Sequence, residues 1–308
     1  MSKFAVVFPG QGSQSVAMLA ELGEQYDVVQ KTFAQASEAL GYDLWALVQN
    51  GPVEDLNETF RTQPALLAAS VAIWRVWQEV GGEQPQLIAG HSLGEYSALV
   101  CAGVIDFQQA IKLVALRGEL MQQAVPAGIG AMYAIIGLDD AAIAKACEEA
   151  AQGEVVSPVN FNSPGQVVIA GNKAAVDRAG VLCKEAGAKR ALSLPVSVPS
   201  HCALMQPAAE KLALALADIE FSAPMIPVIN NVDVIAQTDP AKIKDALVRQ
   251  LHSPVRWTEG VVSMHEQGIE NLLEFGPGKV LTGLTKRIVK TLTAQAVNDV
   301  ASLDAARG

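Results

Sequence analysis

The sequence has few cysteines and no surplus of positive charge. Its 308 residues include four cysteines, none of which forms a Cys-x-x-Cys pair with another. They are scattered through helical patterns, so neither a disulfide framework nor a zinc site is indicated. Lys and Arg number 22 against 32 Asp and Glu, a net charge of -10, which argues against a nucleic-acid-binding protein because phosphates require a basic surface. The cysteines are Cys101, Cys147, Cys183 and Cys202.

Long hydrophobic runs are also missing. No stretch approaches the run of about 18 to 20 apolar residues that a membrane-spanning helix needs. Near the N-terminus only the five residues from Phe4 to Phe8 are continuously apolar, which is too few for the apolar region of a signal peptide. We therefore expect a cytoplasmic protein that has no membrane partner.

Apolar residues make up 50% of the chain, which is enough to bury a sizeable core. Short apolar runs alternate with longer segments of helical period, an order typical of a parallel sheet with helices on both faces. The predicted fold class is α/β, with a core like that of the α/β-hydrolases. The predicted strands are FAVVF (4–8), QLIAG (86–90), PVIN (227–230) and LLEFG (272–276), and helical period is clear in residues 64–80 and 241–251.

Residues 128–195 follow a different order, in which strand, helix, two strands, helix and strand succeed one another. This βαββαβ order is typical of a ferredoxin-like unit. Since α/β segments resume afterwards, we predict a large α/β domain of residues 1–127 and 196–308, with a ferredoxin-like subdomain of residues 128–195 inserted in it. The cleft between the two is the expected ligand site. The tail from residue 298 is expected to be frayed.

The motif Gly90-His91-Ser92-Leu93-Gly94 stands where an apolar run gives way to a helical pattern. In a strand-turn-helix arrangement of G-x-S-x-G, the glycines relieve a sharp bend and the serine hydroxyl is exposed as a nucleophile. The start of the helix adds backbone N–H groups and a favourable dipole for a developing oxyanion. The alternative is that Ser92 only caps the helix. The context on both sides favours the nucleophile.

A serine hydroxyl needs a base within hydrogen-bond reach before it can attack. Of the four histidines, His91 adjoins Ser92 and should point away from it, while two others belong to polar helical stretches. His201 precedes a predicted helix of residues 202–217, whose N-terminus would help keep the imidazole neutral. A general base and a buried structural histidine both remain open for His201, and no aspartate partner can be singled out.

Arg117 lies within the apolar stripe of a predicted helix, DFQQAIKLVALRGELMQQAV. A guanidinium does not lose its proton, so on a buried face it needs an anionic partner or an opening to a cleft. One interpretation is an internal ion pair, for example with Glu95 or Glu119. The other is a bidentate clamp for a ligand carboxylate, which would suit an acyl group that ends in a carboxylate.

Two further glycine-rich turns follow predicted strands. FPGQGSQ (8–14) lacks the third glycine of a dinucleotide fingerprint, because Ser15 stands in its place, and it lacks the Gly-Lys-Ser/Thr of a P-loop. Its backbone N–H groups could still complete an oxyanion hole. FGPGKVLTGL (275–284) is the weaker signal and is interpreted as a tight structural connection.

Five segments in one order resemble the malonyl-CoA:acyl carrier protein transacylases, a family of fatty acid synthesis, from Phe4 to about Lys290. The resemblance implies that Ser92 is acylated, that His201 is the base and that Arg117 binds the malonyl carboxylate. The segments are FPGQGSQ, GHSLGEYSAL, LVALRGELMQ, VPSH and EFGPGKVLTGL.

The resemblance also supplies roles that the residue pattern alone does not. It implies that a backbone carbonyl near Gln250 orients His201 in place of an aspartate, and that the N–H groups of Gln11 and Leu93 form the oxyanion hole. The implied substrates are malonyl-CoA and acyl carrier protein, joined through a malonyl-serine intermediate, with no metal and no cofactor. Ser200 stands where related polyketide synthase domains selective for malonyl often carry phenylalanine, which weakens the expectation that a methyl branch is rejected.

Two other functions stay open, a serine hydrolase that releases the acyl group to water and a non-catalytic subunit of a synthase complex. Acyl carrier proteins are acidic, as this chain is, so docking would need a local basic patch. Alternatively, KRIVK (286–290) is only the solvated face of a C-terminal helix. The candidate docking residues are Lys189, Arg190, Lys286, Arg287 and Lys290.

Overall fold

The computed structural model describes residues 3–196 and 198–307, in which the strands form two separate sheets. The strands are β1 (Phe4–Phe8), β2 (Leu87–Gly90), β3 (Gly130–Ile136), β4 (Val156–Ser163), β5 (Gln166–Asn172), β6 (Arg190–Ser193), β7 (Val228–Ile229), β8 (Asn271–Phe275) and β9 (Thr293–Val297). One sheet has the order β7-β2-β1-β8-β9 and the other the order β4-β5-β3-β6.

The helices surround these sheets, and none in the described ranges is both long and apolar enough to cross a bilayer. They are α1 (Ala20–Gln25), α2 (Asp27–Leu40), α3 (Leu44–Asn50), α4 (Val53–Leu56), α5 (Thr59–Glu79), α6 (Leu93–Cys101), α7 (Phe107–Ala124), α8 (Asp140–Ala151), α9 (Lys173–Glu185), α10 (Gln206–Ala217), α11 (Pro240–Gln250), α12 (Trp257–Glu266), α13 (Val280–Ile288) and α14 (Val300–Arg307). A 3-10 helix spans Ala203–Met205.

The five-stranded sheet is parallel at every pairing. All five residues of β1 are buried, and they alternate between two hydrophobic cores: Val6 and Phe8 pack into one, Ala5 and Val7 into the other. Strands buried on both faces are continuously apolar, which is why FAVVF carries no polar residue. The predicted α/β class with a parallel sheet and helices on both faces is confirmed.

The four-stranded sheet is antiparallel and is built from elements between Gly130 and Ser193, in the predicted βαββαβ order. Helices α8 and α9 cover one face and enclose a core of their own, which includes Ile143 and Val176. The other face packs on Cys202. The division into a large domain and an inserted subdomain stays a prediction. Positions 1, 2, 197 and 308, assigned to the large domain, lie outside the described residues.

The C-terminal tail differs from the expectation, because α14 occupies most of the segment that was expected to be frayed. The carboxylate of Asp299 accepts a hydrogen bond of 2.7 Å from the backbone N–H of Ser302 and so caps the helix. Leu303 is fully buried, and the preceding strand β9, which was not predicted, extends the parallel sheet. Tertiary packing therefore orders a tail whose composition is mostly small and polar.

Candidate active site

Ser92 stands at a strained turn between β2 and α6. Its φ of 52° and ψ of -107° lie in a region that L-residues rarely adopt. A Cβ at Gly90 would lie 1.9 Å from the carbonyl carbon of Gly94, and a Cβ at Gly94 would lie 2.1 Å from the carbonyl oxygen of Phe8. Only glycine fits at these two positions, so the chain can bend sharply there and present the serine hydroxyl at the end of the sheet.

The hydroxyl of Ser92 does not cap α6, although Ser92 occupies the N-cap position. No hydrogen bond joins its Oγ to a helix N–H within the described residues. Instead, Oγ lies 2.8 Å from Nε2 of His201 and accepts a hydrogen bond of 3.2 Å from Nη2 of Arg117. The side chain is therefore held between an imidazole and a cation, which a purely capping role does not require.

His201 is 3% exposed, and its ring is oriented by a backbone carbonyl. Nδ1 lies 2.7 Å from the carbonyl oxygen of Gln250, so Nδ1 carries the proton and Nε2 is left to accept from Ser92. Burial, followed by the charge of Arg117, lowers the pKa of His201 to about 3. The imidazole is neutral at pH 7 because of these two causes. The helix that was expected to begin at residue 202 begins as a 3-10 turn over Ala203–Met205.

Arg117 projects from α7 and is 1% exposed. Nη1 donates to Oε1 of Gln63 at 2.8 Å, and Nη2 donates to Oε1 of Gln250 at 3.0 Å as well as to Ser92. Over residues 3–196 and 198–307 no carboxylate lies within 4.0 Å of this guanidinium, so the ion pair with Glu95 or Glu119 does not form. Nε of Arg117 is buried and has no hydrogen-bond partner in the described chain.

Gln11 and Leu93 line the same cleft as Ser92 and His201. The turn after β1 lies against the serine turn so closely that a Cβ at Gly10 would be 2.5 Å from the carbonyl oxygen of His91. Within the described part of the chain, neither the N–H of Gln11 nor that of Leu93 donates a hydrogen bond. Both donors are therefore free to act on an oxyanion in the cleft.

Three polar residues at the site were not singled out from the sequence for their side chains. Oδ1 of Asn231 accepts from the N–H of Ser92 at 2.8 Å, and its Nδ2 donates to the carbonyl of Gly90 at 2.7 Å. Gln63 and the side chain of Gln250 are the two amide partners of Arg117. Of the three, Asn231 is the one that its position in the sequence could have indicated. It directly follows the predicted strand PVIN (227–230), and ligand sites in parallel sheets lie at the carboxyl ends of the strands.

His91 points away from the Ser92 hydroxyl, as expected from its position beside it. Its Nε2 lies 2.8 Å from Oδ1 of Asn162, and its ring packs against Trp257.

The FGPGKVLTGL turn is a structural connection, because Glu274, the residue just before it, accepts hydrogen bonds from the N–H groups of Leu281 and Thr282.

The cleft around Ser92 is formed by both sheets and their connections. Arg117 and His201 belong to elements of the parallel unit, while Met132 and Asn160 come from strands of the antiparallel one. Within residues 3–196 and 198–307, no group of three His, Cys, Asp or Glu side chains forms a possible metal site. The lining residues are Gln11, His91, Ser92, Leu93, Arg117, Met121, Met132, Asn160, Leu194, Val196, Val198, Ser200 and His201.

Known proteins match this chain from end to end. Residues 5–305 match a family model described as acyl transferase domain. The malonyl CoA-acyl carrier protein transacylase of Salmonella typhimurium is 71% identical over 306 residues, 99% of each chain. An acyl carrier protein S-malonyltransferase structure from Vibrio cholerae is 82% identical, with a TM-score of 0.97 over 99% of both chains. A type II PKS acyl-carrier protein in complex with its malonyl-transacylase gives 70% identity and a TM-score of 0.99 over 99% of both chains. The chain therefore belongs to the malonyl CoA-acyl carrier protein transacylase family of acyl transferases.

Proposed function

We propose that the protein transfers the malonyl group of malonyl-CoA to the phosphopantetheine thiol of acyl carrier protein, and so supplies malonyl groups for fatty acid chain elongation. The names of the relatives support both the donor and the acceptor. The single observation that carries the proposal is a buried cation, Arg117, in contact with the hydroxyl of Ser92.

A carboxylate on the acyl group would complete the surroundings of Arg117. Its hydrogen-bond partners Gln63, Ser92 and Gln250 are all neutral, and its Nε has no partner in the described chain. A buried cation gains most from an anion that it binds with two parallel N–H groups. In a malonyl ester of Ser92 the carboxylate lies only two carbons beyond the ester carbonyl, which brings it within reach of a guanidinium that already touches Oγ.

Acylation follows from the serine and histidine geometry. Nε2 of His201 takes the hydroxyl proton while Oγ of Ser92 attacks the thioester carbonyl of malonyl-CoA. The N–H groups of Gln11 and Leu93 hold the tetrahedral oxyanion, and such a donor is worth about 3 kcal/mol in the transition state. The carbonyl of Gln250 stabilises the imidazolium through Nδ1. The carbon–sulfur bond then breaks, and the imidazolium of His201 gives the proton to the departing thiolate, so that CoA leaves as the thiol.

Transfer to the carrier repeats these steps in reverse. His201 takes the proton of the phosphopantetheine thiol, the sulfur attacks the carbonyl of the malonyl-serine ester, the bond from that carbon to Oγ of Ser92 breaks, and the proton returns to Oγ. One thioester is exchanged for another, so the reaction needs no ATP, metal or cofactor. Because CoA leaves before the carrier reacts, the kinetics are ping-pong.

Intact-protein mass after brief incubation with malonyl-CoA tests this function. We expect a malonyl adduct that is absent from Ser92→Ala and disappears when the thiol form of acyl carrier protein is added, with gain of the same mass by the carrier. An adduct that decays to malonate equally fast with or without carrier would instead support the hydrolase. No adduct at all would support the non-catalytic subunit.

We propose that acyl carrier protein docks on the basic residues at one end of the antiparallel sheet. Nη1 of Arg287 donates to Oε1 of Gln166 at 2.8 Å, and Gln166 and Arg190 both pair with Ile136 in the sheet. Arg190 and Arg287 therefore lie near each other, and both are exposed. Among the described residues, none of the five candidate cations forms an ion pair: Lys189, Arg190, Lys286, Arg287 and Lys290.

Charge reversal tests this docking surface. Replacing Lys286 and Arg287 together with glutamate is expected to raise the KM for acyl carrier protein roughly 10-fold and to weaken its salt dependence, because oppositely charged patches steer association. Adduct formation with malonyl-CoA serves as the internal reference. The matched control is Lys145→Glu, an exposed lysine on α8. An unchanged KM in the double variant would argue that these cations are only solvated surface.

We also propose that residues 1–127 and 196–308 form the large domain and residues 128–195 the inserted subdomain. The separate core under α8 and α9 supports this division.

A cytoplasmic location is proposed as well, since the four cysteines are free, buried thiols of the kind that a reducing compartment preserves. Cell fractionation with an antibody to the chain tests the location.

A further inference from the structure

Glu95 is a buried carboxylate that the proposed reaction does not use. It lies in the first turn of α6, three residues after Ser92, and is 2% exposed. Its Oε2 accepts hydrogen bonds from the backbone N–H of Asn231 at 2.9 Å and from Nε2 of Gln250 at 2.8 Å. The carboxylate therefore contacts two residues that themselves contact the serine turn.

The side-chain amide of Gln250 has two ends of nearly equal size, so its neighbours decide which way round it lies. On one side the ionised carboxylate of Glu95 can only accept, and on the other side the guanidinium of Arg117 can only donate. Only one orientation satisfies both, with Nε2 toward Glu95 and Oε1 toward Arg117 at 3.0 Å. In that orientation Nε2 also lies 3.1 Å from the carbonyl oxygen of Ser92.

Gln250 thus links the parts of the site. Its backbone carbonyl orients His201, its Oε1 holds Arg117 and its Nε2 holds the turn of Ser92. Asn231 supports the same turn by accepting from the N–H of Ser92. Glu95 is the common acceptor of both supporting residues, so the arrangement depends on its capacity to accept.

We propose that Glu95 is a positioning residue for acyl transfer, whose carboxylate holds Gln250 and Asn231 so that Ser92, His201 and Arg117 keep their reactive arrangement. The inference rests on the serine–histidine pair of the proposed function and extends it to a residue that touches neither substrate nor reacting atoms. Ionised carboxylate accepts more strongly than its protonated form, so the hold on both amides is tightest when Glu95 is charged.

This role gives the site a dependence on pH that His201 cannot supply. Burial raises the pKa of Glu95 to about 7, against the opposing effects of its two hydrogen bonds and of Arg117, while Asp233 adds to the rise. Tyr96, the next residue on α6, stays neutral because burial raises its pKa to about 12. Glu95 is charged above about pH 7 and neutral below it. The reactivity of Ser92 is therefore expected to increase as the pH rises through this value.

The experiment uses Glu95→Gln, which keeps the shape and one acceptor oxygen but cannot ionise. Its matched control is Glu274→Gln, another fully buried carboxylate that accepts two backbone hydrogen bonds, from Leu281 and Thr282, but lies outside the cleft. The probe is a neutral fluorophosphonate, which phosphonylates a nucleophilic serine with loss of fluoride. Intact mass gives both the rate and the fraction of sites that react.

The wild type and Glu274→Gln are expected to react faster as the pH rises between about 6 and about 8, whereas Glu95→Gln reacts at a constant rate, about 10-fold slower at the upper end. A Glu95→Gln profile that matches the wild type, or a loss explained entirely by a smaller reactive fraction, would overturn the proposal. Because the probe carries no carboxylate and no CoA, a wild type that keeps the pH profile but takes no malonyl group would reject the proposed function alone.

Discussion

Replacing His201 with alanine is expected to slow acylation of Ser92 by malonyl-CoA about 10²- to 10⁴-fold, the usual contribution of a positioned general base. Nε2 of His201 lies 2.8 Å from Oγ of Ser92, and the variant has no imidazole there to take the hydroxyl proton. Rapid quenching followed by intact mass measures the rate. Since the pKa of His201 is lowered to about 3, its protonation does not contribute near pH 6.5, and a fall of wild-type activity there, assigned to Glu95, should be absent from Glu95→Gln.

His265→Ala is the matched control for this variant. His265 is a half-buried histidine on α12 whose Nδ1 lies 3.3 Å from the carbonyl oxygen of Ile269, outside the cleft. It should keep the wild-type acylation rate. If both variants lost the same fraction of the rate, His201 would be the buried structural histidine that the sequence pattern also allows.

Replacing Arg117 with alanine is expected to lower kcat/KM for malonyl-CoA about 30- to 700-fold. This corresponds to a loss of about 2 to 4 kcal/mol of transition-state stabilisation, the cost of removing one partner of a buried charge pair. The kcat/KM for acetyl-CoA should fall less, because acetyl-CoA has no carboxylate for Arg117 to bind. Removal of the Arg117 charge also raises the pKa of His201, which makes the imidazole a stronger base for either substrate. The ratio of malonyl to acetyl transfer therefore falls, and competition between the two thioesters measures it.

Two further variants make the Arg117 prediction specific. Arg117→Lys keeps the charge but lacks the planar guanidinium that donates to Gln63, Ser92 and Gln250. The ratio of malonyl to acetyl transfer should therefore fall in this variant as well. The control is Arg75→Ala on α5, an arginine that hydrogen-bonds to neutral side chains and stacks over a ring, away from the cleft. It should affect stability alone. An Arg117→Ala enzyme with an unchanged ratio would contradict the carboxylate clamp.

Local sterics and hydrophobic patterning explain what could be predicted from the sequence. The parallel sheet follows from strands such as FAVVF, whose residues are apolar on both faces. The serine turn follows from Gly90 and Gly94, where a Cβ would collide with the backbone. Arg117 stood out because a charge in an apolar stripe needs a partner. Each of these signals lies within a short segment, so it can be detected without knowing how the segments pack.

The amino-acid sequence by itself thus determined the α/β class, the serine turn and the buried position of a cation. Only the tertiary structure decided that Arg117 has neutral partners instead of an ion pair, and that Glu95 accepts from Gln250 and Asn231. It also ordered the tail as α14. The physical reason is that these partners lie far apart in the chain, so their distances and the burial that shifts their pKa values arise only when the elements pack together.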